Sequence, residues 1–473
     1  MNTCRVFLLG PATIVFGGIF AGCSSTALPA LPEGDVPDAW LGPVQAEADV
    51  WPALDWWSNF QSEELSDLMV TIEERNLDLA NNQRNLQRAQ IALRDAGFDL
   101  YPSPVLQAGA GTQYSGAKLA GGSFSGSSSS SADLSLGIVY TDILSKPAAY
   151  DAAVSRYDSS VALAADTRLN TLGTAASTYF RILLLRDRIT AARLNLENAE
   201  AIAKIVDARV DAGTVTPIDG LQQRIAVQRQ TNNIRSLLQQ ELAARSSLAL
   251  LLADSVNDVN VEAATLEDIS VPLVRPGLTA DLLARRPDIV QSEADMRISR
   301  ANVDLVRTAY LPNISLTGSA GIVGDSLGDL FDADDAFASA TASIVQTLLD
   351  NGTRGRNLDR SRLDLETSLA SYRRTVIVAF NEIEVSLANI ELLDALAQFA
   401  IDDLARAEEA FRIAEVRYRE GVDDYQTVLT TQITLFSVRN DYYDNKLARL
   451  NAIVALYQAL GGGWNLSADI GAP

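Results

Sequence analysis

Long stretches of the chain repeat apolar residues with the period of an α-helix. Between about Thr71 and Leu100, the leucines Leu79, Leu86 and Leu93 recur every seven residues, a spacing typical of helices that pack side by side. Similar patterning predicts further helices over about 152–212, 217–252, 356–419 and 425–460. A helix of about 60 residues extends about 90 Å and needs packing partners along its length. A dimeric coiled-coil stalk and a barrel of helices would both satisfy this pattern.

A first window interrupts the helical pattern and predicts a β-hairpin. It opens at Tyr101-Pro102, where proline ends the preceding helix. Strands are predicted over about 103–114 and 131–143, the second with alternating apolar residues at Leu134, Leu136, Ile138 and Tyr140. The Gly/Ser-rich stretch 116–130 between them is typical of a flexible linker, but its flanking strands favour a long hairpin loop.

A second window has the same organisation. It opens at Leu311-Pro312 and predicts strands over about 313–322 and 336–348, joined by a loop that contains Asp332, Asp334 and Asp335. The two windows belong to an internal duplication, because equivalent residues recur at a nearly constant separation: Pro102 and Pro312 (210 residues), Asp142 and Asp350 (208), Arg209 and Arg417 (208), Gly213 and Gly421 (208).

Each copy of the duplication therefore predicts a helix, a β-hairpin, a long helix, a turn and a helix. One chain then offers four strands, too few to close a barrel, and open sheet edges cannot face lipid. Three chains would offer twelve strands, within the range of membrane barrels. The predicted domains are 1–22 (signal peptide), 23–65 (N-terminal segment), 66–270 (first repeat), 271–464 (second repeat) and 465–473 (tail).

The amino terminus is typical of an exported protein. Arg5 precedes an apolar stretch over 6–20, and the residues 20–23, Phe-Ala-Gly-Cys, resemble a bacterial lipobox. We expect cleavage before Cys23 and attachment of lipid, including palmitate, to that cysteine, although an ordinary cleaved signal peptide is the alternative. Ser24 at the next position implies sorting to the outer membrane by resemblance to such lipoproteins. Beyond Cys23, no apolar run approaches the roughly 18–20 residues of a spanning helix.

Composition excludes several classes of function. The formal net charge of -22 and a pI near 4.4 argue against nucleic acid as a partner. The chain has no histidine, and its two cysteines are Cys4 and Cys23, so neither imidazole catalysis nor a histidine or cysteine metal site is expected. No paired-carboxylate signature stands out from charged helix faces. We therefore predict no enzyme activity and no cofactor other than the covalent lipid.

Two segments of the chain are distinctive: 281–289 (DLLARRPDI) and 456–464 (LYQALGGGW). They resemble motifs of the TolC-like outer-membrane efflux proteins, in particular the lipoprotein branch that serves resistance-nodulation-division (RND) pumps. Segments 311–316, 348–352 and 417–421 support the resemblance. The resemblance implies an α+β membrane protein: a trimeric 12-stranded outer-membrane β-barrel continuous with a long periplasmic α-helical barrel. An equatorial belt would include residues 41–59 and 259–276.

The resemblance also implies partners and candidate site residues. The partners would be two further copies of the chain, outer-membrane lipid, a periplasmic adaptor protein and an inner-membrane RND transporter. The turn ends of the long helices would form a periplasmic gate. Asp219 matches an acidic position of the family, whereas Thr427 and Thr430 stand where relatives often have acidic residues. Asp423 and Asp424 are then the alternative gate carboxylates, or solvated turn residues.

Carboxylates repeated around a three-fold axis would repel one another or hold a cation, which predicts a cation-preferring, pH-sensitive constriction. Asp219 could equally serve as a helix cap after Thr216. For the residues that mark the family, a structural role is favoured over a role in transport chemistry. These markers are Arg285, Arg286, Pro287, Asp288, Gly213 and Gly421.

The favoured function is the exit duct of a tripartite efflux pump that passively conducts drugs or other small molecules. Within the same fold, the alternative is an exit duct for type I protein secretion. The lipobox and the Gly-Gly-Gly-Trp ending argue against this alternative. A lipid-anchored periplasmic coiled-coil scaffold is the alternative from another class. The two β-windows at a shared separation argue against the scaffold.

Overall fold

The computed structural model describes residues 52–118, 124–272, 282–325 and 336–464. The predicted signal peptide, Cys23, the C-terminal tail and the loop aspartates Asp332, Asp334 and Asp335 lie outside these ranges. Eight α-helices are found in the described chain: α1 (Glu63–Arg75), α2 (Leu77–Phe98), α3 (Lys146–Asp211), α4 (Pro217–Leu251), α5 (Leu282–Arg285), α6 (Pro287–Thr308), α7 (Thr353–Arg419) and α8 (Tyr425–Ala459). Among these helices, none is both long and apolar enough to cross a membrane.

The helix predicted from about Thr71 to Leu100 is in fact two helices. Asn76 separates α1 from α2, and its side-chain oxygen accepts hydrogen bonds from the backbone N–H groups of Asp78 and Leu79 at 2.9 and 3.0 Å. Its side-chain nitrogen donates to the carbonyl oxygen of Leu251 at 2.8 Å, which satisfies a group at the end of α4. The break therefore depends on a contact with a residue 175 positions away.

Four antiparallel strands form one sheet in the order β1-β2-β3-β4. They are β1 (Ser103–Lys118), β2 (Phe124–Tyr140), β3 (Asn313–Gly324) and β4 (Ala336–Val345). The prediction of a loop over 116–130 was wrong for 116–118 and 124–130, which are paired strand. The pairing needs no apolar alternation, because the hydrogen bonds of an antiparallel ladder come from the backbone.

The strand register sorts the side chains onto two chemically different faces. Residues directly opposite one another in neighbouring antiparallel strands share a face. One face carries apolar rows, for example Leu106, Leu136, Ala320 and Ala338. The other face is mostly small and polar and includes Gln107, Asp133, Ser135, Thr317, Ser319 and Thr341. Leu106 is 73% exposed and Leu136 57%, so the described part of the chain leaves these apolar side chains largely uncovered.

The duplication is visible in the elements themselves. Helices α2 and α6 both have 22 residues and begin 210 positions apart, at Leu77 and Pro287. Helices α4 and α8 both have 35 residues and begin 208 positions apart, at Pro217 and Tyr425. Helices α3 and α7, with 66 and 67 residues, are the long members of the two copies.

The largest hydrophobic core lies beside the middle of α3. Trp56 stacks on Tyr457 of α8 with ring centroids 5.2 Å apart, and Phe60 packs against Phe180 of α3. The segment 259–272 joins this core through Val259, Val261, Leu266 and Ile269. The described parts of the two segments expected in an equatorial belt, 52–59 and 259–272, thus belong to one cluster packed around the middle of α3.

Candidate gate at the paired helical turns

The turns that follow α3 and α7 have the same backbone geometry. Gly213 and Gly421 adopt φ angles of 72° and 78°, in the left-handed region that costs other residues free energy. Each turn closes with the same pair of backbone hydrogen bonds: Gly213 N to Val210 O and Thr214 N to Arg209 O in the first, Gly421 N to Tyr418 O and Val422 N to Arg417 O in the second. This is the Schellman ending of a helix, and it accounts for both turn glycines.

Two of the candidate gate carboxylates begin the returning helices. Asp219 accepts hydrogen bonds from the backbone N–H and the hydroxyl of Thr216 at 3.1 and 3.0 Å. Asp424 accepts from the backbone N–H and the hydroxyl of Thr427 at 2.9 and 2.8 Å. These bonds satisfy groups at helix starts that would otherwise lack partners, and the helix dipole favours the negative charge there. Thr430 lies exposed on α8, about one turn further on.

Asp423 is held by a bidentate ion pair instead of facing other carboxylates. Its oxygens accept hydrogen bonds from Nε and Nη2 of Arg417 at 2.7 and 2.9 Å. These hydrogen bonds and the guanidinium charge lower the pKa of Asp423. Hydrogen bonds from Thr427 likewise lower the pKa of Asp424. Repulsion between neighbouring carboxylates would raise their pKa values. Within the protomer, the pKa values of Asp423 and Asp424 are instead lowered.

The two turns contact each other through residues that the sequence did not single out as a pair. The guanidinium of Arg209 lies over the ring of Tyr418, 4.3 Å from its centroid, and Arg209 Nη2 donates to the Tyr418 carbonyl oxygen at 2.6 Å. One turn further along, the Tyr425 hydroxyl donates to Gln223 Oε1 at 2.7 Å. Gln223 in turn donates to the Ala199 carbonyl oxygen at 2.6 Å. The turn ends of both repeats are therefore one connected structure.

The ion pair between Arg417 and Asp423 should persist in mild acid. A carboxylate with a lowered pKa keeps its contacts above its ordinary value of 3.8 and loses them only as the pH falls through the lowered value. We therefore expect hydrogen exchange of backbone amides in 417–427, corrected for intrinsic rates, to be equally protected at pH 7 and pH 5. Asp423→Asn should lose part of this protection at both pH values. Loss of protection at pH 5 in the unmodified protein would contradict the prediction.

The family markers other than the turn glycines, residues 285–288, lie far from the turns and connect the start of α6 to α7 and to the end of α8. Arg286, whose side chain is 8% exposed, forms ion pairs with Asp288 at 2.6 Å and with Glu382 at 2.8 Å. It also donates to the Ala459 carbonyl oxygen at 3.1 Å. Pro287 occupies the first turn of α6, where it costs no hydrogen bond.

The glycines after α8 fit against these marker residues. Gly461, Gly462 and Gly463 all have positive φ angles, and a side chain at Gly461 would collide with the Arg285 carbonyl oxygen. Trp464 is buried against Ala162 and Val290. Both marker segments thus meet at one junction among α3, α6 and α8. Within the described ranges, no group of histidine, cysteine, aspartate or glutamate is arranged to hold a metal ion.

The sequence matches a family model described as "Outer membrane efflux protein" over residues 68–254 and 278–462. These two segments cover well over half of the chain. The chain belongs to the outer membrane efflux protein family. The two matched segments of this efflux protein each contain one β-hairpin and one long helix with its turn, so each contributes one of the two turns that form the site described above.

Characterised relatives of this efflux protein match over nearly the whole length. The pyoverdine export outer membrane protein OpmQ of Pseudomonas putida is 31% identical over 449 residues, covering 93% of this chain and 95% of OpmQ. The probable efflux pump outer membrane protein TtgC of the same organism is 28% identical and covers 97% of this chain and 96% of TtgC. The outer membrane protein OprJ of Pseudomonas aeruginosa is 27% identical, with 96% coverage of both chains.

Solved structures share the fold. The open state of the Neisseria gonorrhoeae MtrE outer membrane channel superposes with a TM-score of 0.83 at 24% identity, covering 93% of this chain and 98% of MtrE. The Campylobacter jejuni CmeC outer membrane channel gives a TM-score of 0.83 at 21% identity, covering 94% of this chain and 95% of CmeC. The predicted fold class, that of a TolC-like outer-membrane channel with four strands per protomer, is confirmed.

Proposed function

We propose that this efflux protein is a trimeric exit duct that passively conducts small molecules from a periplasmic pump complex across the outer membrane. The observation that carries the proposal is the four-stranded sheet. Strands β1 and β4 each have one edge without a strand partner in the described chain, and one face is apolar while the other is mostly polar. Three such sheets joined edge to edge give twelve strands, an apolar surface toward lipid and a polar lumen.

The turn ends supply the gate of the proposed duct. Asp219, Asp423 and Asp424 place three carboxylates per protomer on or beside the exposed turns, with Thr427 and Thr430 on the first turns of α8. Arg417 offsets the charge of Asp423, so in the trimer Asp219 and Asp424 form the ring of negative charge that favours cations. The contact between Arg209 and Tyr418 and the pair of Arg417 with Asp423 hold the turns together in each protomer.

The proposed cargo and partners follow from the relatives. OpmQ is named for pyoverdine export, and TtgC of another Pseudomonas putida strain is named for toluene efflux. Both names describe small molecules, so we infer a small-molecule cargo, delivered by an inner-membrane RND transporter through a periplasmic adaptor. The duct itself needs no catalytic residue, because transport down its water-filled lumen requires only a path and a gate.

Attachment of lipid to Cys23 is the predicted anchor of the mature chain. We expect the intact mass of protein purified from membranes to exceed that of residues 23–473 by two or three acyl chains. Cys23→Ala should remove this addition while the sheet and helices still form, because residue 23 lies outside the segments that pack the described core. A mature mass that fits an unmodified chain would contradict the prediction, since stable anchoring needs more than one acyl chain.

Cysteine cross-linking tests the trimer directly. The only native cysteines are Cys4 and Cys23, so a Cys23→Ala background gives a mature chain without thiols. Gln107→Cys on β1 is combined in turn with Ser339→Cys, Thr341→Cys or Ser343→Cys on β4, all on the polar face. For at least one pairing, oxidation should give dimers and trimers and nothing larger. Monomer alone for all three cysteine pairings, or cross-linked species larger than a trimer, would contradict the proposal.

A further inference from the structure

A groove of about 500 Å³ lies among the middle portions of α3, α4 and α8, far from the turns. Its polar lining includes two arginines, one hydroxyl with no assigned hydrogen bond and three amides: Arg181, Arg188, Ser177, Gln240, Asn451 and Gln458. The hydroxyls of Thr174 and Thr178 also face it, but each donates to a backbone carbonyl of α3. The side-chain amides of Gln240 and Gln458 also donate, to Ser236 Oγ and Asn170 Oδ1, so the free donors of the groove are chiefly guanidinium groups.

The groove lies on the narrow polar strip of α3 that the large hydrophobic core leaves open, and the core residues Leu184 and Leu185 border and line it. Residues seven apart share a helix face, which places Arg181 and Arg188 together. Arg181 is two residues, or about 200°, around the helix from the core residue Tyr179. Asn451 stands in the same relation to the core residue Ile453 of α8. In the proposed duct we assign this polar strip to the lumen, because a water-filled lumen requires polar walls.

The charge of the groove is opposite to that of the chain. The protein carries a formal charge of -22, yet no carboxylate is among the described residues that line the groove. Arg188 pairs with Asp444, a half-exposed residue at the rim. Arg181 is exposed, and no hydrogen-bond or ion-pair partner is found for it in the described chain.

Two buried polar atoms of the lining also lack partners. Arg188 Nε and the side-chain oxygen of Asn451 make no hydrogen bond in the part of the chain that the structure describes. Buried polar groups are normally paired, so unpaired ones at a groove indicate a place for an additional polar molecule. Arg188 Nε can donate to a carboxylate, whereas the Asn451 oxygen accepts and needs a donor such as a hydroxyl or water. A guanidinium recognises the planar, two-oxygen geometry of a carboxylate particularly well.

We infer that this groove is a binding site for carboxylate-bearing small molecules in transit, with Arg181 as the principal contact. The inference rests on the proposed duct, in which three protomers present three such grooves around the lumen at one level. Carboxylate cargo entering an otherwise acidic tunnel would meet a cationic binding site at this level, and this site offsets repulsion from the acidic wall. The site has to bind weakly, because a duct must also release its cargo.

Block of the open channel by citrate tests the site. Purified protein in a planar bilayer is titrated with citrate, and in parallel with the neutral tricarboxamide of the same skeleton. We expect citrate, and not the tricarboxamide, to reduce the current. Arg181→Gln should raise the half-blocking citrate concentration about tenfold, as expected for loss of one charge-assisted contact, and Arg181→Lys should restore most of the block.

Arg193→Gln is the matched control, because Arg193 is exposed on the same helix but does not line the groove. It removes the same charge and should leave citrate block within about twofold of the unmodified protein. Equal block in Arg181→Gln and the unmodified protein, with normal conductance, would overturn the inference and leave the duct intact.

Failure of the duct is distinguishable from failure of the site. Should the unmodified trimer not conduct, the proposed function fails, and calorimetric titration of detergent-solubilised protein with citrate decides the inference alone. Binding heat that disappears in Arg181→Gln and persists in Arg193→Gln supports the site. Heat that is absent in the unmodified protein, or unchanged in Arg181→Gln, overturns it.

Discussion

Arg286→Ala is expected to destabilise the folded protein by about 1–3 kcal/mol, because the charged hydrogen bonds of the buried guanidinium are lost while the side chains of Asp288 and Glu382, 32% and 50% exposed, stay partly solvated. The substitution strands Asp288 and Glu382 without their shared cation and removes the hydrogen bond to the Ala459 carbonyl oxygen. Desolvation opposes the charge of Arg286, but these carboxylates outweigh it and raise its pKa. Thermal unfolding in detergent, followed by circular dichroism, should show a clearly lower midpoint.

Arg406→Ala is the matched control for that experiment. Arg406 also has two carboxylate neighbours, Asp402 at 3.7 Å and Asp403 at 3.4 Å, but its side chain is 74% exposed. Surface ion pairs of this kind contribute about 0–1 kcal/mol, so the unfolding midpoint should barely move. Equal destabilisation by both substitutions would show that the buried junction at Arg286 has no special role in stability.

Arg209→Ala is expected to raise the open probability of the channel by about tenfold or more. The guanidinium contributes a cation-π contact to the Tyr418 ring and a charged hydrogen bond to the Tyr418 carbonyl. Together these are worth at least about 1.4 kcal/mol, which corresponds to a factor of ten in an equilibrium between held and separated turns. Single-channel recording measures the effect as open time.

Tyr418→Phe provides the control for the gate prediction. It keeps both the aromatic ring and the backbone carbonyl that Arg209 contacts, so the open probability should stay close to that of the unmodified protein. An unchanged open probability in Arg209→Ala would mean that the gate is closed by contacts between protomers alone. An equally large rise in Tyr418→Phe would mean that the hydroxyl, and not the contact with Arg209, holds the turns.

Local rules predicted much of this fold from the sequence. The C-terminal ends of α3 and α7 were predicted within about a residue, because a turn glycine follows each helix within two residues. Pro102 and Pro312 marked both strand windows because proline ends a helix. The duplication could be recognised because these turn glycines and helix-ending prolines recur at nearly the same separation along the sequence.

The features that the sequence did not reveal depend on contacts between distant residues. The break at Asn76 depends on Leu251, and the contact between Arg209 and Tyr418 spans 209 positions. Of the gate residues, Asp423 was predicted as a candidate, but its pairing with Arg417 follows from the folded turn. Residues 124–130 are mostly serine, and their strand is set by pairing with β1 instead of by apolar alternation.

Single-channel conductance of the purified protein in a planar bilayer, measured together with its mass in detergent, tests the central claim most directly. The account predicts a trimer with small, cation-preferring openings. A non-conducting monomer or dimer would contradict the duct and favour a lipid-anchored scaffold.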